Sequence, residues 1–394
     1  MVALSELVDI RGGGTPSKAV PEYWNGNIPW ASVKDFKSSE LRVTADYISE
    51  LGVKNSATSL IPANSIIVPT RMALGKVAMT AVDMAINQDL KALLIKDEVV
   101  LDKRYLLRFL ESKSRFIEKQ GKGATVKGIT LDVLRSLNVP LPPLAEQQRI
   151  AAILDKADAL RRKRQQAIDL ADQLLRSVFL EMFGDPASNP KGWSIMSAGA
   201  CLREGFILEV QDGNHGNDHP KVADFSQLGI PFVTANVVRD GKILFDKCYY
   251  LSDAWRNKLR VGFALPGDVL LTHKGTLGLT AVLDETHSVY IFSPQTTYYR
   301  INESHILPDY LKGYFDTEYF QRLLAKEGKQ STRAYIGITR QKELPIIVPP
   351  MEEQRRYVDL VEIYKKKLDN YRSHEMACGA LFASLSQQAF RGDL

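Results

Sequence analysis

Two stretches carry residues whose types and spacing could do chemistry. The first, RGGGTPSKA from Arg11, sets a lysine behind a run of glycines, as a loop that cradles phosphate with its backbone N–H groups does. That motif needs glycine where Ser17 stands and Ser or Thr where Ala19 stands, so the match fails twice and a turn or binding loop is expected. The second, DGNHGNDHPK from Asp212, offers Asp212, His215, Asp218 and His219 as metal ligands. Its glycines and asparagines make it a polar loop with no second ligand cluster, and the glycine-rich loop that matches it earlier in the chain has no histidine, so no metal is expected. The chain has no GxSxG, no HExxH and no GxGxxG after a strand. It also lacks the Asn/Asp-Pro-Pro-aromatic motif with which amino-methyltransferases hold a flipped adenine. Cys201, Cys248 and Cys378 are odd in number and share no ligand spacing, which points to buried or free thiols. A chain without its own active site or bound cofactor is the expectation.

The elements that must carry these loops come in two copies. PPLAEQQRIAAIL at Pro142 returns 207 residues later as PPMEEQRRYVDLV at Pro349, and Leu174, Ser177 and Phe183 return at the same spacing as Leu381, Ser384 and Phe390. Upstream the echo drifts: NIPWAS at Asn27 answers GIPFVT at Gly229, LIPANSIIV at Leu60 answers ALPGDVLLT at Ala264, and GIT at Gly128 answers GIT at Gly337. The order is the same in both halves, so one unit is duplicated; solenoid repeats are several-fold shorter. With 394 residues, 45% hydrophobic and 25% charged, the chain is long enough for two cores. No basic region precedes an apolar run at the N-terminus and no window is long enough to span a membrane, which predicts a cytoplasmic protein with no membrane partner. A net charge of +5 permits a polyanionic partner without demanding one.

Short β-rich runs bounded by Pro, Gly and Asn (SIIVPT at Ser65, KALLIK at Lys91, DVLLTH at Asp268, TTYYRI at Thr296) read as strands, and residues 102–120 and 308–328 as helices. The fold class is α+β: two similar α/β domains, 1–144 and 185–350, joined by two long helices, 145–184 and 351–394. After each proline pair an apolar seam recurs at steps of three and four: Ile150, Ile153, Ala157, Leu174 and Val178 in one helix, Tyr357, Leu360, Tyr364, Leu381 and Leu385 in the other. A helix from Glu146 to Phe183 would be roughly 57 Å long at 1.5 Å per residue. The economical partner for each seam is the other helix, in an antiparallel coiled coil with pseudo-twofold symmetry. The alternative is that each helix packs on its own domain. Two diverged domains on such a ruler suit duplex DNA, where two half-sites lie a fixed distance apart.

The duplicated Pro-Pro-x-x-Glu-Gln, together with the opening GGGTPSKAVPEYWNGNIPW, Asn87–Gln88 and the ending QQAFRGDL, resembles the specificity subunit of type I restriction-modification systems over essentially the whole chain. The resemblance implies two target recognition domains, each reading one part of a bipartite DNA site with an unread gap. It implies helices that recruit two modification subunits and, through them, restriction subunits. S-adenosylmethionine would then belong to the modification subunits, and ATP and Mg to the restriction subunits. One departure is Ser293-Pro-Gln in the second half where the first has Asn87–Gln88.

Phosphate contacts call for Lys and Arg, and base reading for polar side chains held on structured loops. The matching loops supply Thr15, Ser17, Lys18, Arg71, Lys76, Lys122 and Lys127 in the first domain. In the second they supply His215, His219, Lys221, His273, Lys274, Lys329 and Arg333. Plain solvated surface charge is the competing reading for each. Two rival functions stay open at this point: a duplicated coiled-coil scaffold that joins two proteins without DNA, and an enzyme with its site between the domains.

Overall fold

The proline pairs start the two longest elements, because proline has no N–H to donate and loses nothing at a helix beginning. The carbonyl of Pro143 accepts from the N–H groups of Glu146 and Gln147 (2.9 and 3.1 Å), and that of Pro350 from Glu353 and Gln354 (3.1 and 3.2 Å). From there the first long helix, Leu144–Phe183, runs for 40 residues and the second, Met351–Arg391, for 41. Both stop at a glycine in the left-handed region, Gly184 (φ +82°) and Gly392 (φ +92°), whose N–H groups bond back to Leu180 and Gln388. The computed structural model describes residues 1–123, 126–214, 219–328 and 334–394.

The chain divides into two units, residues 1–165 with 373–394, and residues 166–372. In the first unit a five-stranded sheet has the order Val8–Gly12, Leu90–Ile95, Ile66–Pro69, Ala78–Thr80, Glu40–Leu41. A four-stranded sheet has the order Asp46–Ile48, Ile28–Ala31, Met84–Ile86, Ser59–Ile61, with its central pair parallel (Trp30 opposite Ala85). The helix Lys103–Ser112 follows, capped by the Asp102 carboxylate on the Tyr105 N–H (2.9 Å). It buries Tyr105, Leu106, Phe109 and Leu110 against the larger sheet and the start of the first long helix, at Ile150, Ala151 and Leu154.

The second unit repeats this plan. One sheet has the order Ile207–Asp212, Thr296–Ile301, Val269–Thr272, Thr280–Val282; the other has Tyr249–Leu251, Ile230–Val233, Tyr290–Phe292, Phe263–Ala264, again with a parallel centre (Phe232 opposite Ile291). The helices Pro308–Phe315 and Glu318–Gly328 come late, as the sequence predicts. All four predicted strand runs are strands: Ile66–Pro69 and Val269–Thr272 are buried at every position, and Leu90–Ile95 and Thr296–Ile301 are buried or half-buried along their length.

Inside the first unit the two long helices run antiparallel. The Arg149 guanidinium donates to the carbonyl oxygen of Leu394 (2.8 Å), and the Arg161 guanidinium lies 5.7 Å from the ring of Phe382. Inside the second, Phe179 and Phe183 meet Tyr357 edge to face at 5.3 and 5.5 Å. The buried stripe, however, is not the expected seam. Ile150 and Tyr357 are buried, and Ile153, Ala157, Val178, Tyr364 and Leu385 are half-buried. Leu174, Leu360 and Leu381 are exposed (43, 38 and 51%), while Leu154, Phe179, Phe183, Val361 and Leu368 are buried. The reason is that each helix packs on a shorter helix of the same unit, Lys103–Ser112 or Pro308–Phe315, as well as on the other long helix, which turns its buried face away from a two-helix seam. The two packing alternatives are combined rather than exclusive.

Candidate nucleic-acid interface

The triple glycine at Gly12 is a packing device. A β-carbon on Gly13 would lie 2.0 Å from the Ile86 carbonyl oxygen, and one on Gly14 2.5 Å from the carbonyl carbon of Ala57. Only glycine permits this approach, which the Gly14 N–H closes on the Ile86 carbonyl (3.0 Å) and the Trp30 indole N–H on the Gly14 carbonyl (3.0 Å). Gly213 repeats it on Phe292 and Ser293 in the second unit. The loop is thereby pinned beside Asn87–Gln88. Its exposed Thr15 donates to the Gln88 side-chain oxygen, and the Ser17 carbonyl takes the Trp24 indole N–H (3.1 Å), leaving Lys18 in solvent. Asn87 itself is buried and accepts from the Asp89 N–H (3.1 Å); Ser293 accepts from Gln295 N–H (3.3 Å) in the same way, so the Ser-Pro-Gln departure keeps the turn.

From Gln88 a chain of contacts leads on to Arg71. Lys91 donates to the Gln88 carbonyl (2.6 Å), and burial lowers its pKa, opposed by the Asp89 charge. Asp89 stands 3.9 Å from the Arg71 guanidinium, and the carbonyl of Asp89 accepts from the N–H and hydroxyl of Thr70 (2.7 and 3.0 Å). Arg71 is bridged to Gly128, which also pairs with Lys122 through two 2.9 Å bonds, and the Lys127 carbonyl accepts from the Met72 N–H (3.0 Å). The β-carbon that Gly128 lacks would lie 3.3 Å from Arg71 Cγ, so glycine here lets the arginine stem lie flat across the strand-like pair. Thr15, Arg71, Lys122 and Lys127 thus belong to one exposed, cation-rich surface. Lys76 is exposed as well, with its ammonium donating to the Phe36 carbonyl (2.9 Å).

In the second unit the backbone frame is the same and the side chains are not. The Gly275 N–H donates to the Ala334 carbonyl (3.1 Å), as Met72 does to Lys127, and Ile336 and Ile129 donate to His273 and Thr70. Lys274 therefore stands where Arg71 does and is bridged to Tyr335, over whose ring its ammonium lies at 5.7 Å. This alignment corrects the GIT match: Gly128 corresponds to Tyr335, two residues before Gly337, and the shared three letters are coincidental. His273 is also corrected. It is 1% exposed and its Nδ1 is hydrogen-bonded to the Ile336 carbonyl (3.0 Å), so it ties the loop to the unit and does not reach outward. His219 and Lys221 are exposed, with the His219 ring 5.9 Å from Phe232. His215, Lys329 and Arg333 lie outside the described residues. Reading the sequence missed Met72 and Tyr335, since neither is a cation and nothing local marks them, and it singled out Gln88 only for the family resemblance.

No group of three metal-ligating side chains is found among the described residues. Cys201, Cys248 and Cys378 are free; burial pushes the Cys201 and Cys248 thiols up to about 11, which keeps them protonated and poor nucleophiles. No helix of the described residues is long and apolar enough to cross a membrane.

Comparison with known proteins places this arrangement. The type I restriction modification DNA specificity domain matches residues 1–170 and 224–375. The chain is 23% identical over 416 residues to the type I restriction enzyme MjaIX specificity subunit of Methanocaldococcus jannaschii, covering 99% of this chain and 92% of the relative. It is 40% identical over 164 residues, 40% of each protein, to the EcoR124I/EcoR124II specificity subunit of Escherichia coli. Its fold is like that of the crystal structure of the type I restriction-modification S subunit from M. genitalium (TM-score 0.57, 15% identity, 99% of this chain and 95% of that one). With the family's domain matched across both repeats, this chain belongs to the type I restriction-modification DNA specificity subunit family.

Proposed function

We propose that this chain is the non-catalytic, sequence-reading subunit of a type I modification and restriction complex, and that each of its two target recognition domains, 1–144 and 185–350, reads one half of a bipartite, asymmetric DNA site. The observation that carries this reading is one backbone frame with different side chains on its exposed face. Arg71, Met72 and Gly128 in one unit answer Lys274, Gly275 and Tyr335 in the other. A frame kept while its surface diverges is what two readers of unlike half-sites require, since phosphate contacts position a protein and base contacts specify.

The helices, 145–184 and 351–394, would set the gap between half-sites about a pseudo-twofold axis and dock two modification subunits, with restriction subunits joining through these. The apolar residues that they leave exposed, Leu170 and Leu174 on one and Ile363, Met376 and Leu381 on the other, suit partner helices. S-adenosylmethionine would be held by the modification subunits, ATP and Mg by the restriction subunits, and the complex would work in the cytoplasm. Methylation mapping of genomic DNA from cells with and without this chain, the modification subunit being present in both, tests the reading. A two-part adenine motif of fixed gap should vanish with the chain; an unchanged methylome beside an active modification subunit would overturn it.

A further inference from the structure

Met72 stands out on the cationic surface of the first unit. Its φ is +64°, a left-handed backbone that a residue with a β-carbon adopts only at a cost, and its side chain is 56% exposed. Among the described residues neither cost is repaid by burial, because Met72 is not one of the side chains packed on the first unit's apolar clusters. The turn does not need it either. Gly275 holds the corresponding place in the second unit at φ +79° with the same hydrogen bond, and a β-carbon there would meet nothing within 4 Å. Scattered exposed hydrophobes are ordinary on any protein surface. One held in a left-handed turn, where glycine serves its counterpart, is not.

The surroundings say what would compensate it. Arg71 precedes it with a side chain 62% exposed, and Lys127, whose carbonyl anchors its N–H, is exposed together with Lys122. Such a ring of cations suits phosphates and disfavours an apolar protein surface. An unbranched thioether raised among phosphate-seeking groups is placed for apolar contact with bases, against a thymine methyl or wedged at a base step. We propose that Met72 is a specificity-determining residue that makes this apolar base contact in the half-site read by the first unit; this rests on the DNA-reading function above.

The test uses the full chain in complex with its modification subunits. Fluorescence anisotropy compares a duplex carrying the site found by methylation mapping with one whose first half-site is scrambled. Met72→Gly relieves the backbone and removes the contact, so its melting temperature should rise while affinity for the intact site falls about tenfold, the scrambled duplex being bound as before. Met72→Leu should keep most of the discrimination. Unaltered affinity of Met72→Gly for the intact site, or an equal loss on both duplexes, overturns the assignment of Met72 and leaves the DNA-reading function standing. Failure of the parent complex to discriminate the duplexes overturns both.

Discussion

The side-chain oxygen of Gln147 accepts the backbone N–H of Asp102 at 2.9 Å, tying the first turn of a long helix to the cap of the helix Lys103–Ser112, 45 residues earlier. Its amide also donates to the carbonyls of Val100 (2.9 Å) and Pro142 (2.8 Å). Gln354 does the same to Leu307, His305 and Pro349 at 2.9, 3.0 and 2.9 Å. Both glutamines are 0% exposed. The Gln of the duplicated Pro-Pro-x-x-Glu-Gln is therefore a joint: a fully buried side chain that satisfies three backbone groups at once.

Gln147→Ala strands those groups and should cost about 3 kcal/mol, since each unmet buried partner costs about 1–3 kcal/mol and the site relaxes in part. Gln147→Glu should be worse near neutral pH, because its carboxylate would face two carbonyl oxygens, and should recover as acid protonates it. Urea unfolding at two pH values checks both; an alanine variant as stable as the parent would show that the joint is dispensable.

Arg108 is the second joint of the first unit. It is buried with Asp158, both side chains 4% exposed, at 3.2 Å from it and 2.7 and 2.8 Å from Glu111 and Asp155. Arg108→Ala removes the buried cation that Glu111, Asp155 and Asp158 share, leaving Asp155 to Arg104 and Asp158 to Arg161 and Arg162 at the surface, and should cost about 3 kcal/mol. The pH dependence follows from two opposed shifts. Burial raises the Asp158 pKa, but the bonds and charges of Arg161, Arg108 and Arg162 outweigh it and hold the group below its ordinary value. Its stabilisation is thus present above the unfolded pKa and lost as pH falls through the folded one. Burial raises Glu111 above its ordinary value despite Arg108, so its contribution is full below the unfolded pKa and lost as pH rises through the folded one. Asp158→Asn should flatten the acid limb of a stability profile and Glu111→Gln the limb above it; profiles superposable on the parent's would refute the assignment.

Gly313 occupies the place that Arg108 has in the first unit, three residues after the paired Tyr310 and Tyr105, whose hydroxyls donate to Ile347 and Pro140. A β-carbon there would lie 2.5 Å from the Tyr357 hydroxyl oxygen. Gly313→Ala should therefore destabilise by about 1–3 kcal/mol. Tyr357→Ile, the residue that Ile150 supplies in the first unit, should rescue part of it in a double-mutant cycle. Additive effects would mean that the two positions do not share this contact.

His273 and Lys274 are neighbours with opposite fates, one buried on Ile336 and one exposed over Tyr335. Lys274→Ala should weaken DNA binding by the complex on all sequences and lower the salt slope by about one, with melting unchanged. His273→Ala should lower the melting temperature instead. Binding titrations at several salt concentrations, with thermal melts, separate them; a reversed pattern would place the histidine at the interface.

Much of this architecture was legible in the residues because its causes are local. Proline pairs start helices, three-and-four periodicity sustains them, and apolar runs between turn residues make buried strands, so both long helices and all four named strand runs stand where the sequence put them. The duplication was legible because a joint such as Gln147 must recur with the helix that it fastens. Other features are decided by what lies across space. Leu154 is buried and Leu174 exposed because the helices Lys103–Ser112 and Pro308–Phe315 share the long helices' faces. The glycines at Gly13 and Gly14 answer to the backbones of Ile86 and Ala57, not to a phosphate. His273 and Lys274 differ only in which side of one strand end each faces. The strain at Met72 appears only when its N–H is drawn onto Lys127, 55 residues away, and no pattern of neighbouring letters records a partner at that distance.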